Sequence, residues 1–532
     1  MLCEKFVHRG GATLRRANHE EIRLSHIERI YVSEQWLATA IQKCLYSKPG
    51  TGKLVGVLKA DQGYKVCKGV FEATIVSIEY CWGAIVVSLL FLLTYLECRD
   101  HYAHVSVRMI FKLTLGGSRH SRLELAAVTT VAFAVRLGWV LLGPWESGDS
   151  AWYLSVARNI AFHRVFSSSA AGTDPVPTAY RPPLYPAVIA ALWLGDSAPI
   201  MTVLLLQAFL GAITVSLVYL IAHDQYNGKV ALVASFALAF APMSSRFTAV
   251  ILTETLFIFL ITLGFFLWGR ARYVLTGLVV GLAMLTRPTL FPFLLCLPLL
   301  TFLPAWRSQR LPFVVIMLVA FCVSSIWIIR DAIVFRRLIP ISASGYGTNL
   351  LLGTMEIRES DNAAVRKALL RGVDESKRNA LSDETESDRV RSREALRRIR
   401  DRPLRWLIAR AQQYPRLFYD SGSYLFANEN VSLRTVLREG PVVTALIRVF
   451  LIIGNLGIFI LALAGIVVER SRFVSLSHII LFPLFLSAIH LPLWVEPRYG
   501  LPMMPAVLIL AAVGLLESLK FLSLQKKKVI ST

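Results

Sequence analysis

Two carboxylates stand three residues apart in Pro144-Trp145-Glu146-Ser147-Gly148-Asp149-Ser150-Ala151-Trp152-Tyr153, and a carboxylate placed beside a substrate hydroxyl can act as its general base. The stretch follows a run, 125 to 142, that is apolar except for Thr129, Thr130 and Arg136 and just long enough to cross a bilayer, so Glu146 and Asp149 emerge where membrane meets water. An acid at that exit can meet a substrate carried on a lipid. Beyond it, Ala151, Trp152, Leu154, Val156, Ala157 and Ile160 mark a short interfacial helix on which Asp149 and Tyr153 share a face. The plain alternative for Asp149 is a helix N-cap. After a Ser/Gly/Pro-rich loop, Arg181-Pro182-Pro183-Leu184-Tyr185-Pro186 holds its arginine in a turn that the prolines fix. Two acids, an arginine and a rigid turn in one loop read as a site.

Four more charged residues fall on the same side. Glu254, in Thr253-Glu254-Thr255, lies just inside an apolar span, where an ionisable group is expensive and has either a task or a structural partner, Arg246 or Arg287. Arg287, Arg330 and Arg498 sit at the corresponding ends of three different spans. They read either as snorkelling residues or as a convergent set whose guanidinium forks suit phosphate. Arginines there can take the place of a metal in neutralising a departing phosphate, so no cofactor is required; a divalent cation held by Asp149 and Glu254 is the other option. The histidines show no paired ligand spacing and read as structural.

The elements that must position these groups are membrane helices. Of 532 residues, 55% are hydrophobic, the mean hydropathy is +0.55, and the apolar residues come in blocks of about 20. The chain is predicted to be an all-α polytopic membrane protein of about ten spans, near 125 to 143, 199 to 222, 230 to 245, 249 to 268, 273 to 286, 288 to 304, 312 to 329, 441 to 467, 473 to 491 and 500 to 518. The formal net charge of +22 resides largely in short loops, as topology selection requires, and does not mark a nucleic-acid binder. Arg270 and Arg272, Arg307 and Arg310, Arg470 and Arg472, and Lys520 with Lys526 to Lys528 share one side, which the positive-inside rule makes cytoplasmic. Outer loops 144–198 and 330–440, and the site motifs, then face away from the cytoplasm of a cell plasma (inner) membrane. Residues 1–108 form a mixed-charge N-terminal extension holding five of the seven cysteines. The change in composition near residue 109 predicts that Met109 is the natural start and 109–532 the functional core. Within the long outer loop, the stretch Gly345-Tyr346-Gly347 lets backbone approach a ligand but is too short to claim as a phosphate cradle.

Taken in order, Asp149 with Tyr153, Arg181-Pro182-Pro183-Leu184-Tyr185-Pro186, Thr253-Glu254-Thr255-Leu256-Phe257, Thr286-Arg287-Pro288, Trp327-Ile328-Ile329-Arg330-Asp331 and Arg498-Tyr499-Gly500-Leu501-Pro502 resemble bacterial membrane glycosyltransferases of family 39. These are C-type (GT-C) enzymes related to protein O-mannosyltransferases and lipid A aminoarabinose transferases. The resemblance runs from about Leu125 to Leu519. It implies a GT-C bundle, a polyprenyl-phosphate-linked sugar as donor, a hydroxyl-bearing acceptor on lipid, glycan or protein, and transfer with inversion at the outer membrane face. The family's base carries over to Asp149 and a second acid less closely to Glu254. Glu146 does not stand in the family's adjacent acidic pair. Tyr153, Arg181, Tyr185, Arg287, Arg330, Arg498 and Tyr499 fall in the matching motifs as substrate or phosphate contacts. Two rival classes are a transporter or flippase of lipid-linked sugars, for which Arg136 is the mid-membrane charge, and a surface polysaccharide polymerase or ligase.

Overall fold

The computed structural model describes residues 119–531 except 144–146, 196, 343–344, 357–358, 360–361, 376–383, 420–436 and 438–439. By contacts the chain divides into Met1–Phe71 and Glu72–Thr532, and every described residue belongs to the second unit. The predicted extension 1–108, the start at Met109 and Glu146 lie outside the described residues.

Among the described residues the only regular elements are helices, as the apolar blocks require, because backbone polar groups in hydrocarbon must be satisfied within the segment. In chain order they are α1 Arg119–Leu141, α2 Gly148–His163, α3 Leu184–Ala191, α4 Ile200–Gln225, α5 Gly228–Phe240, α6 Pro242–Arg246, α7 Glu254–Gly269, α8 Tyr273–Met284, α9 Leu290–Leu300, α10 Arg310–Phe335, α11 Tyr346–Leu352, α12 Ala363–Glu375, α13 Glu384–Asp401, α14 Pro403–Gln413, α15 Val442–Val468, α16 Ser477–Ile489 and α17 Met504–Ser531. The chain is a multi-pass membrane protein. Among the described residues, five helical stretches are long and apolar enough to cross a membrane, or six when the bent pair α5–α6 counts as one.

The other four apolar helices, α7, α8, α9 and α16, are shorter. A helix of 16 residues such as α7 reaches about 24 Å, against a hydrocarbon core of about 30 Å. The shortening has local causes. The Thr286-Arg287-Pro288 turn separates α8 from α9, and Pro242 bends the predicted span 230–245 by 56°, since proline cannot donate into the preceding turn.

That bend explains Arg136. Buried in α1 at 1% exposure, it donates from Nη1 to the carbonyls of Ala132 at 3.1 Å and Ala239 at 3.5 Å, and from Nη2 to Leu238 at 3.5 Å. Ser245 adds bonds to the carbonyls of Ala239 at 3.2 Å and Ala241 at 2.9 Å. The carbonyls freed where α5 breaks are thus supplied with donors from within the bundle. Gly211 makes the room: a Cβ there would stand 2.5 Å from Arg136 Nε.

Close helix crossings come from small residues. On α8, Gly277 and Gly281 lie so near α10 that a Cβ on either would meet Val319 Cβ or Val323 Cβ at 2.7 Å. The basic turns gather at one end of the bundle, where Arg270 pairs with Asp224 at 2.8 Å and Arg472 Nη2 donates to the Gln225 carbonyl at 3.2 Å. Asp149, Arg181, Glu254, Arg287 and Arg498 gather elsewhere, around α2, the start of α7 and the turn before α17.

Candidate active site

Asp149 sits at the second position of α2, and the N-cap is Ser147, not Asp149. Ser147 Oγ accepts from the Asp149 backbone N–H at 3.3 Å, and Ser150 Oγ accepts from the Ser147 N–H at 3.2 Å, a reciprocal capping box. With the cap supplied by serines, the Asp149 side chain is left for other partners. Arg181, held by its proline turn, donates from Nη2 to Asp149 Oδ1 at 2.7 Å and from Nη1 to the Tyr153 hydroxyl at 3.0 Å. The shared face of Asp149 and Tyr153 is therefore read by one guanidinium. That guanidinium also lies 5.3–5.6 Å from the ring centres of Trp152, Tyr153 and Tyr180, a cation–π setting.

Glu254 opens α7 with its side chain 2% exposed. Its Oε1 lies 3.4 Å from Arg287 Nη2 and 4.0 Å from Arg498 Nη1, and its Oε2 is buried with no hydrogen-bond partner among the described residues. Of the two structural partners expected for Glu254, Arg287 is the one in place. Arg498 joins the two halves of the cluster: its Nη1 is also 3.6 Å from Asp149 Oδ2, and its Nε bonds Glu496. Glu496, two residues before Arg498, was given no role by the sequence.

Arg330 is placed differently from the expected three-arginine set. It is 4% exposed, donates from Nη1 to Asp331 Oδ1 at 2.8 Å and to the Thr178 carbonyl at 3.1 Å, and lies 4.7 Å from the Trp327 ring centre. It thus ties the end of α10 to the loop between α2 and α3. Tyr499 packs with its ring centre 5.6 Å from that of His490, beside Arg498 in the same 3₁₀ segment. Tyr185 stands edge-on to Tyr153 with ring centres 5.1 Å apart, and its hydroxyl donates to Gln207 Oε1 at 2.7 Å. Gln207 escaped the sequence reading because a lone amide in an apolar span carries no pattern.

Burial pushes the Tyr153 phenol upward, with Arg181 opposing and Glu254 and Asp149 adding to the rise. Tyr185 is raised well above the ordinary tyrosine value, first by burial and then by Tyr153 and Glu254. For Arg181 burial works toward a lower value, but Tyr153 and Asp149 outweigh it and the guanidinium is held more firmly charged. Three carboxylates, of Asp149, Glu254 and Glu496, thus face three guanidiniums, of Arg181, Arg287 and Arg498. Both acids of the metal option are engaged by arginine, and among the described residues no group of three or more His, Cys, Asp or Glu is arranged to hold a metal ion.

The Gly345 segment proved to be occupied by the chain itself. Asp388 of α13 accepts backbone N–H bonds from Gly345, Gly347 and Thr348 at 3.0–3.3 Å. A Cβ on Gly347 would collide with the Asp388 backbone. The glycine serves close approach of this internal carboxylate.

Residues 180–329 match the model of the dolichyl-phosphate-mannose-protein mannosyltransferase family, so the resemblance read from the motifs holds over that part of the chain. The matched part includes Arg181, Tyr185, Glu254 and Arg287 and stops short of Asp149 and Arg498. No curated protein matches the chain. Among solved structures, the archaeal oligosaccharyltransferase AglB from Archaeoglobus fulgidus, in complex with an inhibitory peptide and a dolichol-phosphate, is similar at 14% identity over 78% of this chain and 52% of that one, with a TM-score of 0.41. ArnT from Cupriavidus metallidurans, bound to undecaprenyl phosphate, is similar at 15% identity over 73% of this chain and 59% of that one, with a TM-score of 0.38. The chain spans about half the length of the archaeal structure it matches.

Proposed function

We propose that this protein is an integral-membrane glycosyltransferase that moves a sugar from a polyprenyl-phosphate donor to a hydroxyl acceptor at the extracytoplasmic face, with 109–532 as its functional core. The observation that carries the reading is the position of Arg498 Nη1, 3.6 Å from Asp149 and 4.0 Å from Glu254. It brings a candidate base and two phosphate-suited arginines, from three distant parts of the sequence, into one cluster at the end of an apolar bundle.

The chemistry follows from that cluster. Asp149 takes the proton of the acceptor hydroxyl, and the oxygen attacks the anomeric carbon. The bond from that carbon to the phosphate oxygen breaks, its electron pair stays on the phosphate, and attack from the opposite side inverts the centre. Arg287 and Arg498 stabilise the phosphate as its charge grows. Base assistance of this kind is worth about 10² to 10⁴-fold. A divalent cation, if used, would need the donor phosphate as a further ligand beside Asp149 and Glu254. Outward orientation is supported by the basic turns at the opposite end.

The transporter reading is weakened because Arg136, its mid-membrane charge, is engaged by backbone carbonyls. Mass spectrometry of surface glycoconjugates from cells with and without the protein tests the proposal. Loss of a sugar from one glycoconjugate class is the expected result, and an unchanged profile with a lipid-linked sugar trapped on one membrane leaflet would point to transport.

A further inference from the structure

The two halves of the acid–arginine cluster belong to segments far apart in sequence, and one side chain outside the cluster is bonded to both. Gln207 lies in α4, within a membrane span, at 2% exposure. Its Oε1 accepts from the Tyr185 hydroxyl at 2.7 Å, and its Nε2 donates to the carbonyls of Thr248 at 3.0 Å and Val250 at 2.8 Å. On the first side, Tyr185 braces Tyr153, whose hydroxyl receives the guanidinium that grips Asp149. On the second, Thr248 and Val250 belong to the segment that leads into α7, which starts at Glu254.

We infer that Gln207 is a positioning residue: a single amide inside the membrane that fixes the spacing between the Asp149 half and the Glu254 half of the site. The amide is suited to this because it offers one acceptor and two donors on one rigid plane, and all three are used. A leucine would fill the space but leave the Tyr185 hydroxyl and two buried carbonyls without that partner, and hydrocarbon offers no water to replace it. The two segments would then lose their link through α4 and be held together less firmly. Reacting groups must be held in near-attack geometry, so a small loosening lowers turnover more than binding.

The kinetic arm of the test rests on the proposed glycosyl transfer; the other arm does not. Hydrogen exchange is measured on purified full-length protein and on Gln207→Leu, following peptides covering 148–163 and 247–257. Exchange in both segments should accelerate about tenfold or more, the scale of one to two lost buried hydrogen bonds. Tyr185→Phe, which removes only the first arm, should loosen 148–163 and leave 247–257 as in the parent. Should Gln207→Leu fail to accumulate, Gln207→Asn keeps the amide but draws it back by one methylene and is read in the same way. With a polyprenyl-phosphate sugar as donor, Gln207→Leu should lose turnover by about tenfold with the donor KM within about threefold. The inference is overturned if either segment exchanges at the parent rate in Gln207→Leu, if Tyr185→Phe loosens both equally, or if turnover is unchanged while the parent is active. A parent that transfers no sugar removes the proposed function, and the exchange data still decide the role of Gln207.

Discussion

Replacing Glu254 with Gln should tighten the grip on an anion while weakening the empty protein. In the structure three carboxylates balance three guanidiniums, and a phosphate that reaches Arg287 and Arg498 must compete with Glu254 for them. Glu254→Gln keeps the shape and removes one charge. At an effective dielectric near 20, unit charges 4 Å apart interact by about 4 kcal/mol. Arg287 and Arg498 are 19% and 17% exposed, and the incoming phosphate partly relaxes the arginines toward itself. Taking about one third of that figure leaves about 1.4 kcal/mol, or about tenfold in affinity. The assay is calorimetric titration of purified protein with undecaprenyl phosphate, a probe of the polyprenyl-phosphate class, beside Arg287→Gln, which should bind about tenfold more weakly. Thermal unfolding without ligand should show Glu254→Gln less stable than the parent, because two partly buried cations lose a counter-ion. If Glu254→Gln binds the probe more weakly, in step with Arg287→Gln, then Glu254 contacts the ligand directly or through a metal and the competition argument is wrong.

Other outcomes follow from the same geometry. Arg498→Lys retains charge but cannot face Asp149, Glu254 and Glu496 together, so turnover should fall by about tenfold or more with normal accumulation; parent-like kinetics would make Arg498 a snorkelling residue. Because burial holds the Tyr185 phenol well above its ordinary value, it stays a neutral donor across about pH 6 to 9. Tyr185→Phe should therefore lower the rate by a constant factor over that range, and a ratio that varies with pH would mean that the phenol ionises. Gly281→Leu should cost about 1–3 kcal/mol in detergent unfolding through overpacking against Val323, whereas Gly138→Ala, inside α1 with nothing within 4 Å of the added Cβ, should cost nothing and stabilise by up to about 1 kcal/mol. Cysteines placed at Ser168 and Thr348 should react with an impermeant thiol reagent from outside the cell and one at Ser308 should not; labelling of Ser308 alone would invert the topology.

Much of the fold was legible because hydrocarbon dictates helices and composition marks where they run. Helix length was less so. The breaks at Pro242 and at Thr286-Arg287-Pro288 shorten spans that a hydropathy window joins or extends. At the site, Asp149 with Tyr153 followed from helical periodicity, and Arg181 followed from its fixed turn in the same loop. The pairing of Glu254 with Arg287 was one of two open choices, since the sequence gives depth in the membrane and not rotation about the helix axis. Rotation also decides Arg330, which turns toward Asp331 and Thr178. Gln207 left no trace in the sequence because its partners are a tyrosine at the start of α3 and two backbone carbonyls of the 3₁₀ turn before α7. The Gly345-Tyr346-Gly347 stretch was read as letting backbone approach a ligand, and the group that approaches is Asp388, 41 residues beyond Gly347.

The central claim is that Asp149 is the base. Asp149→Asn keeps size and most hydrogen bonding, and the Ser147 cap of α2 is independent of it. The decisive measurement is single-turnover sugar transfer from a polyprenyl-phosphate donor by purified Asp149→Asn, with donor binding measured on the same preparation. A rate reduced by about 10² to 10⁴-fold with donor binding retained is the result expected of a lost general base. Transfer at close to the parent rate would contradict the account and pass the role to Glu146 or Glu254.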